Sequence, residues 1–261
     1  MTGRSLHDAL LRVLTSAELR GWLAPADLGR LGAAIGAEEA RALGAADPIR
    51  VRRLARFFGR HFYRERIVRL FAAGRRLARE AGADPLDVLE RRAFGDILDD
   101  AELGSAATAD AVARLVEGVV AERLIREPWG AALVAYEGAL FRVEAGPRRW
   151  AVAVGAAVIR APTARIVTLD WDVTGLVAAV RRGEPTLPAP RSEAIRVLVA
   201  LAPEGQVTTV RASDRLERML AALEAPRTAA ALARELGTDE AACGHALQQL
   251  AAIGAIECRD A

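Results

Sequence analysis

The chain contains no lysine and no asparagine, so all 36 of its basic residues are arginine. Together with abundant alanine and glycine, that bias reads as GC-rich codon usage before it reads as selection for phosphate contacts. Net charge is only +2, less than a dedicated nucleic-acid binder usually carries. Cysteine is scarce too: Cys243 and Cys258 are the only two, which excludes a disulfide framework and a zinc motif. The histidines, His7, His61 and His245, are scattered, and no H-E-x-x-H spacing occurs. Cys243 and His245 lie two apart on an expected helix and so point to different faces. No P-loop and no G-x-S-x-G elbow is present. The longest apolar run, Ala151 to Ile159, falls far short of the ~20 residues of a membrane helix. His7 and Asp8 interrupt the first apolar stretch, unlike a secretory signal. The expectation is a soluble, cytoplasmic, non-enzymatic chain with no metal or cofactor of its own.

What is present points to an ordered core. The chain has 261 residues, 52% hydrophobic and 27% charged, enough for two ordinary domains and too apolar for disorder. Helix start signals recur through the first 145 residues, and strand alternation is absent there. Ser16 opens a displaced capping box, Asp47-Pro48 and Asp84-Pro85 pair a capping acid with proline, and Pro128 opens the last helix of this half. The longest helical candidate runs from Pro48 to Glu80, with Gly59 and Arg64-Glu65-Arg66 as candidate points of a kink or break. Gly146-Pro147 ends the helical half. Strands are expected over Arg149 to Arg160 and Arg165 to Trp171, then a short helix capped by Asp172 and running to Arg181, then a proline-rich loop. The fold class is therefore α+β: an all-helical domain over 1-145 and a β-containing region over 146-261, ending in a small module from about 193.

That module has a distinct outline. Strands Ile195 to Leu201 and Gln206 to Arg211 precede helices Asp214 to Glu224, Thr228 to Leu236 and Asp239 to Ile253, and Ala255-Ile256-Glu257 closes the unit. This is the outline of a winged-helix domain, which binds either a DNA groove or a peptide laid along an open strand. A DNA reader would put Asp239 to Leu250 in the major groove. No arginine lies in that helix, and Asp239 and Glu240 sit at its leading end, which argues against DNA. A peptide reader needs an unpaired strand edge and an apolar groove beside it. The β-branched strand Gln206 to Arg211 can offer the edge, and Ala242 and Gly244 leave room next to it.

Two other groups invite a chemical reading. Asp96, Asp99, Asp100 and Glu102 cluster, and Asp170 and Asp172 flank Trp171. Paired carboxylates can serve as general acid and base, but loop and capping acids are the plainer reading. Eleven arginines from Arg50 to Arg79 crowd the long helical segment, interleaved with Phe57, Phe58, Phe62 and Tyr63. They suit an acidic protein partner, although a solvated helix face explains them as well.

Three stretches stand out beside the order of the elements: Arg126-Glu127-Pro128-Trp129, then Ala135-Tyr136-Glu137-Gly138-Ala139-Leu140-Phe141-Arg142, and the arginine-rich helix ending in Leu77-Ala78-Arg79. In these and in its element order the chain resembles the partner proteins of multinuclear non-haem iron-dependent oxidases, the methanobactin type among them. Such pairs modify ribosomally made precursor peptides. The resemblance implies that the C-terminal module captures the precursor's leader as an added strand. The peptide-binding positions would be Gln206, Val207, Thr208, Thr209, Val210 and Arg211, with Ala242, His245 and Gln249 on the last helix. Arg56, Arg60, Arg64, Tyr136 and Arg142 would contact the oxidase, which carries the iron and the chemistry. The alternative is a winged-helix transcription regulator that binds DNA, and a third option is a purely structural subunit.

Overall fold

One strand, Ile195–Leu201, is buried on both faces and divides the molecule. The computed structural model describes residues 3–147 and 157–259. In chain order the helices before it are α1 (Gly3–Thr15), α2 (Ala17–Gly21), α3 (Leu28–Ile35), α4 (Ala37–Gly44), α5 (Pro48–Leu70), α6 (Ala72–Glu80), α7 (Arg92–Asp99), α8 (Ala106–Arg123) and α9 (Gly130–Ala145). Then come β1 (Ala157–Arg160), β2 (Arg165–Leu169) and α10 (Thr174–Arg181), followed by β3 (Ile195–Leu201) and β4 (Val207–Arg211). The chain closes with α11 (Asp214–Ala222), α12 (Ala229–Leu236), α13 (Glu240–Ala252) and β5 (Ile256–Arg259). The fold is mixed α+β, as expected, with helices first and small antiparallel sheets after them. The strand expected over 149–160 is described only from Ala157, because 148–156 lies outside the described residues. No described helix is long and apolar enough to cross a membrane.

Local chemistry explains several of the helix starts. Ser16 accepts the Leu19 N–H, Asp47 accepts the Ile49 N–H ahead of Pro48, and Ser105 accepts the Thr108 N–H. Asp84 accepts the Leu86 N–H, but the turn it opens, Pro85–Glu90, is a 3₁₀ helix and not the α-helix expected there. Pro128 sits in the turn before α9, which begins two residues later.

The helix expected from Pro48 to Glu80 is two helices, and the break is at neither expected place. It runs unbroken through Gly59 and through Arg64-Glu65-Arg66, then stops at Phe71. Gly59 is there for packing: a Cβ on it would stand 2.7 Å from Leu98 Cδ2, so its absence lets α5 and α7 close together. At the true break, the carboxylate of Glu137 accepts the N–H groups of Ala73 and Gly74, the free donors at the start of α6.

The sheet β2-β3-β4 is antiparallel throughout, and a second, two-stranded sheet pairs β1 with β5. Side chains of a strand alternate between faces. From β3, Ile195, Val197, Val199 and Leu201 enter the largest core, which they share with α5 to α10. Leu198 and Ala200 enter a separate core with α11, α12 and α13. Burial on both faces is why β3 reads as one continuous apolar run. The largest core therefore crosses the 145/146 position, and a third core gathers α1 to α4 against Val51 and Ala55 of α5. The C-terminal helices follow the expected order within a residue or two, with Thr228 and Asp239 as caps. Gly237, at φ 61°, ends α12 in the left-handed conformation, and Thr238 N–H returns to Ala233 O at 2.9 Å, which fits a Schellman-type close. The closing strand β5 does not complete the β3-β4 sheet but pairs with β1, which is bridged in turn to Arg227.

Candidate functional site

The hairpin joining β3 to β4 sets which groups of β4 remain free. Ala202 N–H bonds Gln206 O at 2.8 Å, and Ala212 N–H bonds Arg196 O at 2.7 Å. Hydrogen-bonded pairs alternate along an antiparallel ladder, so residues 206, 208, 210 and 212 turn their backbone groups toward β3. Val207, Thr209 and Arg211 turn theirs away, and among the described residues β4 is an edge strand with no neighbour on that side. Gln206 belongs to the turn and bonds inward, so it adds nothing to the open edge.

The side chains of β4 part in the same alternation. Val207 packs toward the core shared with the helical half, and Val210 lies on the face of the C-terminal helices, 38% exposed. Beside Val210 opens a groove of about 650 Å³ between α11 and α13. Its floor is apolar, with Leu216 and Met219 from α11 and Leu250 and Ile253 from α13. Ala242 and Ala246 keep its wall low. Arg211, Arg215, Ser213, His245 and Gln249 form a polar rim without an acid. Arg215 donates to Thr238 Oγ1 at 2.9 Å, Arg211 is paired with Glu193, and the His245 and Gln249 side chains meet at 3.0 Å. Both bounding helices are held at their starts, since Ser213 accepts the Leu216 N–H and Asp239 the Ala242 N–H.

Five of the nine expected peptide-binding residues line this groove: Val210, Arg211, Ala242, His245 and Gln249. Val207, Thr208 and Thr209 lie along the strand leading to it. The α11 wall was not foreseen, nor were Ala246, Leu250 and Ile253. Their signal was in the sequence: Ala242, His245, Ala246, Gln249, Leu250 and Ile253 fall at helical spacing and form one stripe of α13.

The five expected oxidase contacts do not form one surface. Arg56, Arg60 and Arg64 are exposed on α5. Arg56 Nε bonds Asp99 Oδ1 at 2.8 Å, and Arg60 lies 3.3 Å from Glu90. Tyr136 is 4% exposed and belongs to the largest core, so it cannot meet a partner. Arg142 is turned inward, held by Asp110 Oδ1 at 2.7 Å and by both carboxylate oxygens of Glu117. Its guanidinium borders a second cleft of about 640 Å³ between α8, α9 and the start of the sheets. Most of that cleft's polar groups are already engaged: Arg142 by two acids, and Arg160 by the Ala164 carbonyl at 2.8 Å.

The acidic clusters are structural. The Arg56 guanidinium holds the Asp99 carboxyl below its ordinary range. Burial pushes the Asp172 carboxyl up, but bonds from Thr174 and Arg191 outweigh it and the group ends below its usual value. Asp172 accepts the Thr174 N–H at 3.0 Å at the start of α10. Among the described residues no cluster of His, Cys, Asp and Glu could hold a metal ion. Cys243 lies on the buried face of α13, and burial raises its thiol. No protein-family model matches the sequence, and no curated protein matches it.

Proposed function

We propose that this chain is a non-catalytic recognition subunit. It takes the leader of a ribosomally made precursor peptide as an added strand on β4 and holds it against α13. A multinuclear non-haem iron oxidase bound to the same chain then modifies the rest of the peptide. The observation that carries the reading is one coincidence: an edge unpaired among the described residues, with outward N–H groups at Val207, Thr209 and Arg211, runs beside an apolar groove. An extended peptide fits that pair of features, because its backbone satisfies the edge and alternate side chains reach the groove.

The energetics favour this division of labour. A disordered leader loses conformational freedom on binding, so edge hydrogen bonds alone give modest affinity. Apolar side chains filling the space between Leu216, Met219, Leu250 and Ile253 supply the remainder. Capture places the peptide at high effective concentration beside the bound oxidase. The iron and its redox chemistry belong to the oxidase. Duplex DNA is a poorer fit, since Asp239 and Glu240 would lead α13 into the phosphates.

The test is isolation of the tagged chain from its source cells at moderate salt, with mass spectrometry and iron analysis of the eluate. An iron-containing oxidase with a small peptide is expected, and that peptide is then titrated against wild type and Thr209→Pro. An iron-free eluate that retains duplex DNA would overturn the reading.

A further inference from the structure

The helix α5 is apolar on two opposite faces, and only one of them is covered. Its buried residues Val51, Ala55, Gly59, Tyr63 and Ile67 recur every fourth position and face the cores. Of the eight large apolar residues exposed on the described chain, five lie on this one helix: Ile49, Leu54, Phe57, Phe58 and Val68. At 3.6 residues per turn, Leu54, Phe57, Phe58 and Val68 fall on the face opposite the buried one, together with His61 and Glu65. Phe57 is 65% exposed, and its ring meets Phe58 edge-on at 6.1 Å. A monomer gains nothing by holding two phenylalanines in water, and contiguous exposed apolar surface marks an interaction site.

The charges bordering this stripe indicate what covers it. Arg53, Arg60 and Arg64 lie along one border only, and over the roughly 16 Å from Arg53 to Arg64 they form a row. Arg53 and Arg64 pair with no acid among the described residues, and Arg60 has only the exposed Glu90. We infer that the outer face of α5 docks a protein whose surface presents an apolar groove bordered on one side by a row of carboxylates. This surface is separate from the β4 groove, and only the partner's identity as the oxidase rests on the function proposed above.

Other occupants fit less well. A second copy of the chain would offer this face a single acid, Glu65, and antiparallel self-pairing would set two arginine rows against each other. An anionic membrane favours basic residues on both borders of an apolar face. Here the arginines without a well-buried or local acid keep to one side: Arg50, within the face, is paired with Asp47, Arg69, on the far border, is neutralised by the buried Glu144, and Glu65 sits within the face itself. The helix has 23 residues, so at ~1.5 Å per residue it is about 34 Å long, enough for a standard interface.

The experiment places a photoreactive benzoyl-phenylalanine at position 57 of the full chain in its source cells. The adduct formed on irradiation is then mapped by mass spectrometry. The expected adduct is one protein, crosslinked through an apolar segment rich in Asp and Glu. Its yield should fall roughly tenfold with Arg53→Glu and Arg64→Glu together, as loss of two rim ion pairs with added repulsion implies. Arg234→Glu, on α12, should leave the yield unchanged, and circular dichroism checks that each variant folds. An adduct with the chain itself, with lipid or with nothing overturns the inference, as does a protein adduct insensitive to the charge reversal. If the adduct appears as expected but Thr209→Pro leaves peptide affinity unchanged, the peptide reading fails and this docking surface stands.

Discussion

Glu137 Oε2 accepts the N–H of Gly74 at 2.9 Å, and a Cβ added to Gly74 would stand 2.8 Å from that same oxygen. The fully buried carboxylate and the missing side chain are two halves of one arrangement that ends α5 and starts α6. Gly74→Ala should therefore destabilise the fold by about 1–3 kcal/mol, the usual cost of forcing a methyl into a packed site. Val120 Cγ1, at 2.9 Å from the same added Cβ, blocks escape on the other side. Urea unfolding followed by circular dichroism measures the loss; an unchanged midpoint would show that the capping geometry can relax.

The same carboxyl group predicts a pH dependence. Burial pushes Glu137 up to about 8 from an ordinary 4.5, against the opposing pull of the Gly74 and Ala73 N–H groups. Between those values the folded chain holds a proton that the unfolded chain has released. Its contribution is complete below pH 4.5 and is lost as pH rises through about 8, with a slope of up to ~1.4 kcal/mol per pH unit. Glu137→Gln, isosteric with the protonated acid, should flatten that slope. Melts of both proteins at several pH values decide it, and parallel curves would remove Glu137 as the source.

Gly59 and Leu98 should be coupled. A Cβ at Gly59 meets Leu98 Cδ2 at 2.7 Å and Cδ1 at 2.9 Å, both on a buried side chain of α7. Gly59→Ala alone should cost about 1–3 kcal/mol by overpacking. Leu98→Ala alone should cost about 2–5 kcal/mol by opening a cavity. The double variant should lose less than the sum, because the new methyl occupies part of the space that leucine vacates. Strict additivity in denaturant unfolding would mean that the two helices do not meet there.

At the proposed peptide site the alternation of β4 gives an internal control. Thr209→Pro removes an outward N–H and should weaken binding of a captured peptide by about tenfold with the fold retained. Val207→Pro removes another outward N–H and should act the same way. Thr208→Pro removes an inward N–H from the β3 pairing and should instead lower stability. Ala246→Trp, which fills the groove without touching the edge, should abolish binding. Calorimetric titration with the captured peptide and thermal melts together separate these outcomes; equal affinity for Thr209→Pro would end the strand-addition model.

Some of the architecture was legible because its causes are local. Ser16, Asp47, Thr228 and Asp239 cap helices through their own nearest N–H groups, and the β3 and β4 runs declare themselves by residue type. Of the candidate site, the strand and the α13 residues Ala242, His245 and Gln249 could be read from order and spacing. The α11 wall could not, since nothing in Leu216 or Met219 says which helix lies across from it.

The errors have a common origin. The resemblance placed Tyr136 and Arg142 at the partner, whereas Tyr136 fills the core and Arg142 neutralises Asp110 and Glu117. Sequence alone puts the break in the long helix at Gly59 or at Arg64 to Arg66. It lies at Phe71 because Glu137, more than sixty residues away in sequence, supplies the acceptors that let a new helix begin.

By itself, then, the sequence determined the helical character of the first half, several helix starts, and the order of the elements after it, since propensity, capping and periodicity act within a few residues. Only the tertiary structure decided which edge of the sheet stays unpaired, where β5 finds its partner, and which of two apolar faces of α5 is covered. Those outcomes rest on contacts between distant segments, where burying one surface necessarily leaves another open.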